Sequence, residues 1–522
     1  MSDYDVVIAG GGHNALACGA YLSLHGLTVL IAERNSWVGG GAVTKEITLP
    51  GFKHDLFGSS HIWCHVNPDY ANVLRPALEQ YGLKYLWADG AVTGHPMDEG
   101  PGIIVYKSVD ATCDSIAEYS KKDARRYREI FDEFVDIQDG FVKNFFSPPN
   151  PPSLQTAVME QSVEGLRRLR DYNLSTRAFV EENFENEYVQ AFVLGWALGP
   201  HVKPDHEGMG ATFYIMIPAL HIFGQAIPEG GSQQLPLACQ RLIEDKGGKV
   251  LTNATVEKFI ISGGECRGIR IEDGTEILAR KAVVTELDPR QTFLRLVDPE
   301  HLSEDFLKLV RGFRFGRIGI CRVHLAIHEA PQYRHGAEMS KVPYHRIFGP
   351  IQQVVDHFAE VDMGRLPSDP FIHSLCWSVR DPTRAPEGKH ALTIDTFPPC
   401  ELAGGVKWED VKEEFGRTQI RKLRKYTTNM DDDNILASVV FTPEDLYSHN
   451  RSFYKGCPTG GERVQAQLGY FRPLPGYSQY KSPIKRLYMA GPSCHPGAGI
   501  SAMGTITANV IMRDLGMKAA RF

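Results

Sequence analysis

The hydrophobic pattern changes period close to the N-terminus. Val6, Val7 and Ile8 form an unbroken apolar run, as expected of a strand covered on both faces of a parallel sheet. Residues 15–25 then predict a helix, and residues 28–32 a second short strand. The order strand, glycine loop, helix returns near the other end, between Leu487 and Ala508. The patterning between these ends is mixed. Residues 123–135 predict a charged amphipathic helix with Phe131, Phe134 and Val135 on its core side. Residues 318–327 alternate in polarity and predict a strand. Residues 209–227 form the closest candidate for a membrane span, but Tyr214, Pro218, His221, Gly224 and Gln225 interrupt them. They fall short of the ~20 apolar residues that crossing a bilayer requires. They read as a buried segment lining a cavity; the alternative is an interfacial patch admitting a lipid-like substrate, with peripheral membrane contact.

The loops between these elements carry the chemistry. Gly10 permits a tight strand-to-helix turn, and Gly12 lets the backbone approach a pyrophosphate. His13 and Asn14 open the helix, and Ala15 fills the third small-residue slot of a dinucleotide fingerprint. The helix N-terminus presents N–H groups and a positive dipole end to the phosphates. Glu33 closes the second strand, placed to accept hydrogen bonds from an adenosine ribose, and Arg34 follows it. The acid selects an unphosphorylated ribose, as in FAD or NAD. Val38-Gly39-Gly40-Gly41-Ala42-Val43-Thr44 and the segment running to Ser60 and His61 favour FAD. Their glycines allow a second loop to approach the diphosphate and ribityl chain.

These motifs resemble the flavoprotein superfamily of amine oxidases and phytoene desaturases, and most closely its phytoene desaturase and carotenoid ketolase branch. Ile227-Pro-Glu-Gly230-Gly231 is similar to that family's turn into a helix. Residues 247–256 resemble the strand where Val256 holds the adenine edge, and residues 282–289 the return strand. Gly491-Pro-Ser-Cys-His495-Pro-Gly-Ala-Gly499 resembles the His-Pro-Gly-x-Gly loop of desaturase-like members, with Ile500, Ser501 and Ala502 at the flavin's pyrimidine edge. The resemblance implies an α/β protein with a discontinuous Rossmann-type FAD-binding domain, residues 1–70, 225–295 and 480–522. A mixed α+β substrate domain, residues 71–224 and 296–479, is inserted into it. It further implies non-covalent FAD, a hydrophobic terpenoid, carotenoid, alicyclic or aromatic substrate, and hydride transfer to flavin N5. Candidates for catalysis by the same analogy are His61, Tyr214, His221 and His495.

Composition narrows the alternatives. The chain has 522 residues, 43% hydrophobic and 23% charged, enough for two or three cores of an ordinary globular protein. A net charge of −7 without a dense basic patch argues against nucleic acid. The ten cysteines include no Cys-x-x-Cys, which leaves a disulfide-reductase reading without its redox pair and suits a reducing, cytoplasmic setting. The first apolar run is the dinucleotide strand itself, so no secretory leader is expected. His61-Ile-Trp-Cys-His65 superficially resembles a metal cluster but lacks partners elsewhere, and no metal is expected. A second dinucleotide fingerprint is absent, since Gly456-Cys-Pro-Thr-Gly-Gly461 lacks a flanking strand and helix. Electrons from the substrate are therefore expected to leave to oxygen, a quinone or another redox protein. A flavin amine oxidase is the competing enzyme class, although Ala490-Gly491-Pro492 replaces that branch's Ala-Gly-Glu. A non-catalytic FAD-binding protein is the third reading.

Overall fold

The structure, a computed structural model, describes residues 4–198, 201–497 and 499–517. Two seven-stranded sheets organise it. In the first, Tyr4–Ala9 lies between two parallel neighbours, Val29–Ala32 and the C-terminal half of Glu276–Thr285. Lys249–Leu251 extends this sheet on one side, and Leu487–Met489 pairs with Val283–Thr285. The antiparallel strands Val256–Ser262 and Glu265–Ile271 complete it. Val6, Val7 and Ile8 are fully buried, as an unbroken apolar run requires. The helix His13–Leu24 packs against the C-terminal helix Gly504–Asp514 so closely that a Cβ at Gly504 would lie 1.9 Å from the Asn14 carbonyl. Glycine at 504 is thus a condition for the two chain ends to meet.

The second sheet has the order Ile435–Phe441, Cys321–Ile327, His390–Thr396, Ile372–Leu375, Tyr344–Ile347, Ala91–His95 and Ile103–Tyr106. The alternation expected from residue 318 begins at Cys321, because Ile318 forms only an isolated bridge to Pro399. Val323, Leu325, Leu392 and Ile394 share a core with Trp408, Phe415 and Leu423 of the helix Trp408–Tyr426. The other face of the same strands is polar. Arg322, Asp395, His373 and Arg346 are cross-strand partners in one continuous row over four neighbouring strands. That row turns toward the first sheet's loops, where the Arg322 guanidinium donates to the carbonyls of Asp55 (3.1 Å) and Phe57.

Helices cover the remaining edges. In Lys121–Val135 the buried side is Ala124, Tyr127, Ile130 and Phe134, whereas Val135 is exposed, one position beyond the apolar stripe. Residues 209–227 resolve into the helix Ala211–Phe223, interrupted by Pro218, and the strand Ala226–Pro228. Among the described residues no helix is long and apolar enough to cross a membrane. All ten cysteines are free.

Candidate active site

The crevice at the top of the first sheet is built around helix His13–Leu24. Gly10, at φ 97°, makes the turn, and the Gly12 N–H then points at a carboxylate, that of Glu286, at 2.6 Å. The Asn14 N–H reaches the same group at 3.3 Å. An internal acid thus sits at the positive end of the helix, the position suited to an anion. A Cβ at Gly12 would lie 2.4 Å from that carboxylate, so only glycine permits the approach. Burial lifts the Glu286 pKa to about 7; the N–H groups of Ala15, Gly12 and Asn14 oppose the rise, and Glu33 adds to it. Glu33 accepts from the Gly11 and Asn35 N–H groups, both at 2.8 Å, which fixes its carboxylate at the crevice edge with lone pairs to spare. Burial raises its pKa in spite of these bonds. Arg34 is exposed and donates to the Ser448 carbonyl at 3.3 Å. Alongside, the Ala254 N–H donates to the Glu33 carbonyl at 2.8 Å, two residues before Val256 opens its strand.

Three more segments close on this turn. The Gly39 N–H donates to the Gly11 carbonyl at 2.9 Å, and a Cβ at Gly40 would come within 2.9 Å of the Gly12 Cα. The Gly58 N–H donates to the Gly41 carbonyl at 3.0 Å, beside the fully buried Ala42. A Cβ at Gly58 would lie 2.7 Å from Ile500 Cδ1. The His13 ring sits between the Gly39 and Gly499 carbonyls, 3.3 Å from each. Asn67 donates to the carbonyls of Ser501 (3.0 Å) and Ala502 (3.2 Å), and Gly491 packs on Glu286 so tightly that a Cβ would meet its carbonyl at 2.8 Å. Ser60 is partly buried between Gly58 and His61. Among the described residues, Asn14 Nδ2 and Oδ1 and Ser501 Oγ are buried without partners. Backbone donors aimed at an anion, an anchored acid and orphaned polar atoms fit a dinucleotide lying across this crevice.

The comparison that decides the family spans nearly the whole chain: residues 16–505 match the model of the flavin containing amine oxidoreductases. The chain belongs to this family. It is a flavoprotein oxidoreductase, and its cofactor is FAD. One of the subunits of the limonene dehydrogenase of Castellaniella defragrans is 28% identical over 98% of this chain and 95% of its own. The lycopene-forming phytoene desaturase of a Paracoccus species is 24% identical over 98% and 97%. An oxidoreductase from Methanosarcina mazei shares the fold, with a TM-score of 0.63 at 17% identity over 98% of this chain and 99% of that one.

In this flavoprotein the candidate catalytic residues fall in different places. His61 is fully buried with both ring nitrogens engaged, by Ser232 Oγ at 2.8 Å and the Tyr85 hydroxyl at 3.0 Å. Burial holds its pKa well below the usual range, so it is a neutral strut with no nitrogen left for substrate. His221 is likewise saturated, by the Tyr127 hydroxyl at 2.8 Å and the Lys107 carbonyl at 3.2 Å, and its ring packs edge-on against Phe131. The side chain of Tyr214 lies outside the described residues. His495 keeps Nε2 without a partner, and burial depresses its pKa to about 4. Its loop is held from beneath by Arg472, whose buried guanidinium donates to the carbonyls of Pro492 (2.6 Å), Thr459 (2.8 Å) and Cys494 (3.2 Å).

Sequence reasoning missed a buried acid on the second sheet. Asp395 pairs with Arg322 at 2.9 Å through Oδ2, while Oδ1 is buried and unpartnered. Burial outweighs the Arg322 charge and lifts its pKa to about 6. The only signal was the insertion of Arg322 and His324 at alternate positions of an apolar strand. Arg384 is similar, a fully enclosed cation shared by Asp55 (2.7 Å) and Asp381 (3.0 Å), which ties the two sheets' loops together.

Proposed function

We propose that the protein dehydrogenates an organic substrate with an apolar body, taking a hydride and a proton from it and passing the electrons to oxygen, a quinone or another redox protein. One observation carries this reading: the polar row Arg322–Asp395–His373–Arg346 begins against Asp55 and Phe57, directly beside the Gly58–Ile500 contact of the cofactor crevice. A substrate lying along that row meets the crevice at one end. The names of the dehydrogenase and desaturase relatives support a terpenoid, carotenoid, alicyclic or aromatic compound. FAD, when bound, supplies the two-electron acceptor.

The chain supplies the rest. In this proposal residues 1–70, 225–295 and 480–522 form the cofactor domain, and 71–224 with 296–479 the substrate domain. The Gly10–Ala15 turn, with His13 and Asn14, receives the pyrophosphate; Glu33 takes the ribose and Val256 the adenine edge. Gly40, Gly41, Ala42 and Ser60 border the ribityl chain, with His61 as their support. Gly491, Ile500, Ser501 and Ala502 meet the pyrimidine edge. Asp395 Oδ1 accepts the proton, with Arg322 holding the carboxylate in place. The thiols nearest the crevice, Cys64 and Cys494, have pKa values raised by burial, which disfavours a covalent flavin link. Anaerobic titration of the yellow holoenzyme with terpenoid, alicyclic and aromatic compounds tests the proposal. Stoichiometric bleaching of the flavin band by one of them is expected. Bleaching by primary amines and by none of these would identify an amine oxidase instead.

A further inference from the structure

The far end of the polar row holds a charge that no described residue neutralises. Arg346 is 4% exposed. Its Nη1 donates to the Gly195 carbonyl at 2.8 Å, its Nε to the Tyr344 hydroxyl at 3.2 Å, and its guanidinium carbon stands 3.9 Å over the Trp196 ring. None of these is an anion, and among the described residues no carboxylate pairs with it. Arg322, three strands away, has Asp395; Arg384 has two acids. A buried cation without a counter-charge is strongly unfavourable unless acceptors take up its N–H groups, as four carbonyls do at Arg472. Among the described residues Arg346 has one carbonyl and one hydroxyl, a set that a ligand would complete.

The neighbours of Arg346 are also incompletely bonded. His373, its cross-strand partner, is bonded through Nδ1 to the Tyr344 hydroxyl at 3.3 Å and leaves Nε2 buried and unpartnered. Among the described residues the indole N–H groups of Trp196 and Trp377 are buried without acceptors, and the Trp377 ring lies 6.0 Å from that of Tyr344. Several unsatisfied nitrogens around one unpaired guanidinium call for an acceptor-rich, negatively charged group. Between this end and Arg322 the surroundings turn apolar: Phe397 lies 5.1 Å from the His373 ring and 5.3 Å from Phe371.

We propose that Arg346 and His373 receive a carboxylate at the tail of the substrate, so that the substrate is an amphipathic organic acid whose apolar part reaches the cofactor crevice. Guanidinium and carboxylate match as planar, two-pronged partners, and one unpaired cation calls for one negative charge. Two strand spacings separate Arg346 from Asp395, about 10 Å at ~4.8 Å each, which gives the scale of the distance between the acid and the carbon that loses its proton. A cationic amine would bring like charge to Arg346. The inference deepens the dehydrogenase reading above and rests on it only for the fate of the bound molecule.

Isothermal titration of the FAD-loaded protein with octanoate, octan-1-ol, octylamine and octyl phosphate tests it without turnover. Octanoate is expected to bind at least tenfold more tightly than the alcohol or the amine, and Arg346→Gln to erase that margin while octan-1-ol affinity and FAD content stay unchanged. Equal affinity for alcohol or amine, tighter binding of octyl phosphate, or full octanoate affinity in Arg346→Gln would overturn the assignment. Should Arg346→Gln not fold, Arg346→Lys carries the test: a selective loss of octanoate affinity of at least threefold is expected, and no loss or an equal loss for octan-1-ol overturns it. Tight octanoate binding in a protein whose flavin no organic compound bleaches would sink the dehydrogenase reading alone. Bleaching by neutral compounds without octanoate preference would sink this one alone.

Discussion

Asp395 and Glu286 are both buried carboxylates with raised pKa values, and the proposed function asks opposite things of them. Asp395 has a free oxygen and a pKa near 6, so a base role requires the ionised form. Turnover should therefore rise with pH through about 6 and level off above it. Asp395→Asn should lower kcat about 10²- to 10⁴-fold and remove that limb from the pH profile. Retained FAD would show that the crevice survives, since Arg322 keeps its two carbonyl bonds. An unchanged profile would exclude Asp395 as the base. Glu286 occupies the helix N-terminus proposed for the pyrophosphate. Its folded pKa is raised to about 7, so the apoprotein is most stable below about 4.5 and loses stability as pH rises through about 7. The linked loss is on the order of 3 kcal/mol. FAD affinity should be flat below pH 7 and weaken above it by about tenfold per unit, because binding then takes up a proton. Glu286→Gln should abolish the slope and tighten FAD at pH 8; equilibrium dialysis across pH measures both.

At the scale of elements, what was legible in the sequence was what is contiguous. The turn from Gly10 to Ala15, the helix behind it and Glu33 lie in one short stretch, so spacing alone predicts their meeting. The strand at Cys321–Ile327 was legible from its alternation, but its chemistry was not. The row that includes Arg322 takes Asp395, His373 and Arg346 from three other strands, and strand order and register are not written in local pattern. Glu286 meets Gly12 across 274 residues of chain. His61 looked free for catalysis because its partners, Tyr85 and Ser232, are distant in sequence. Arg472 escaped notice for the same reason, although it donates to two carbonyls of the loop proposed for the flavin's edge. Arg472→Met would leave the carbonyls of Pro492, Thr459 and Cys494 without their donor. At about 1–3 kcal/mol for each buried unsatisfied group, a loss of about 3 kcal/mol of stability is expected, with FAD retention down at least tenfold. Thermal denaturation and dialysis check these together. A variant that melts as wild type and keeps its FAD would show that the loop needs no clamp.

For the whole molecule, both chain ends and the second sheet converge on one cofactor crevice. Leu487–Met489 joins the sheet beside Glu276–Thr285, and Gly504–Asp514 locks onto His13–Leu24. Gly456–Gly461, the only other glycine cluster of dinucleotide appearance, has a different task. A Cβ at Gly460 would lie 2.6 Å from Pro492, and the Gly460 carbonyl accepts from Ser493 Oγ at 2.9 Å. That segment is a shelf under the loop containing His495, flanked by a short turn and not by a strand and helix. Among the described residues, then, Gly456–Gly461 forms no second cradle for a nicotinamide, in keeping with the proposal that the organic substrate reduces the flavin. Rapid mixing under anaerobic conditions is expected to show bleaching by NADH or NADPH at least 100-fold slower than by the substrate. Fast bleaching by either nucleotide, with none by organic compounds, would reverse the direction of the reaction. Gly12→Val gives the control, because its Cβ would sit 2.4 Å from the Glu286 carboxylate and fill the space proposed for the pyrophosphate. That variant should fold, since the clash is with the far end of the Glu286 side chain, yet purify colourless and inactive. A yellow, active Gly12→Val protein would mean that the cofactor lies elsewhere, and the direction of electron flow would have to be argued again from another site.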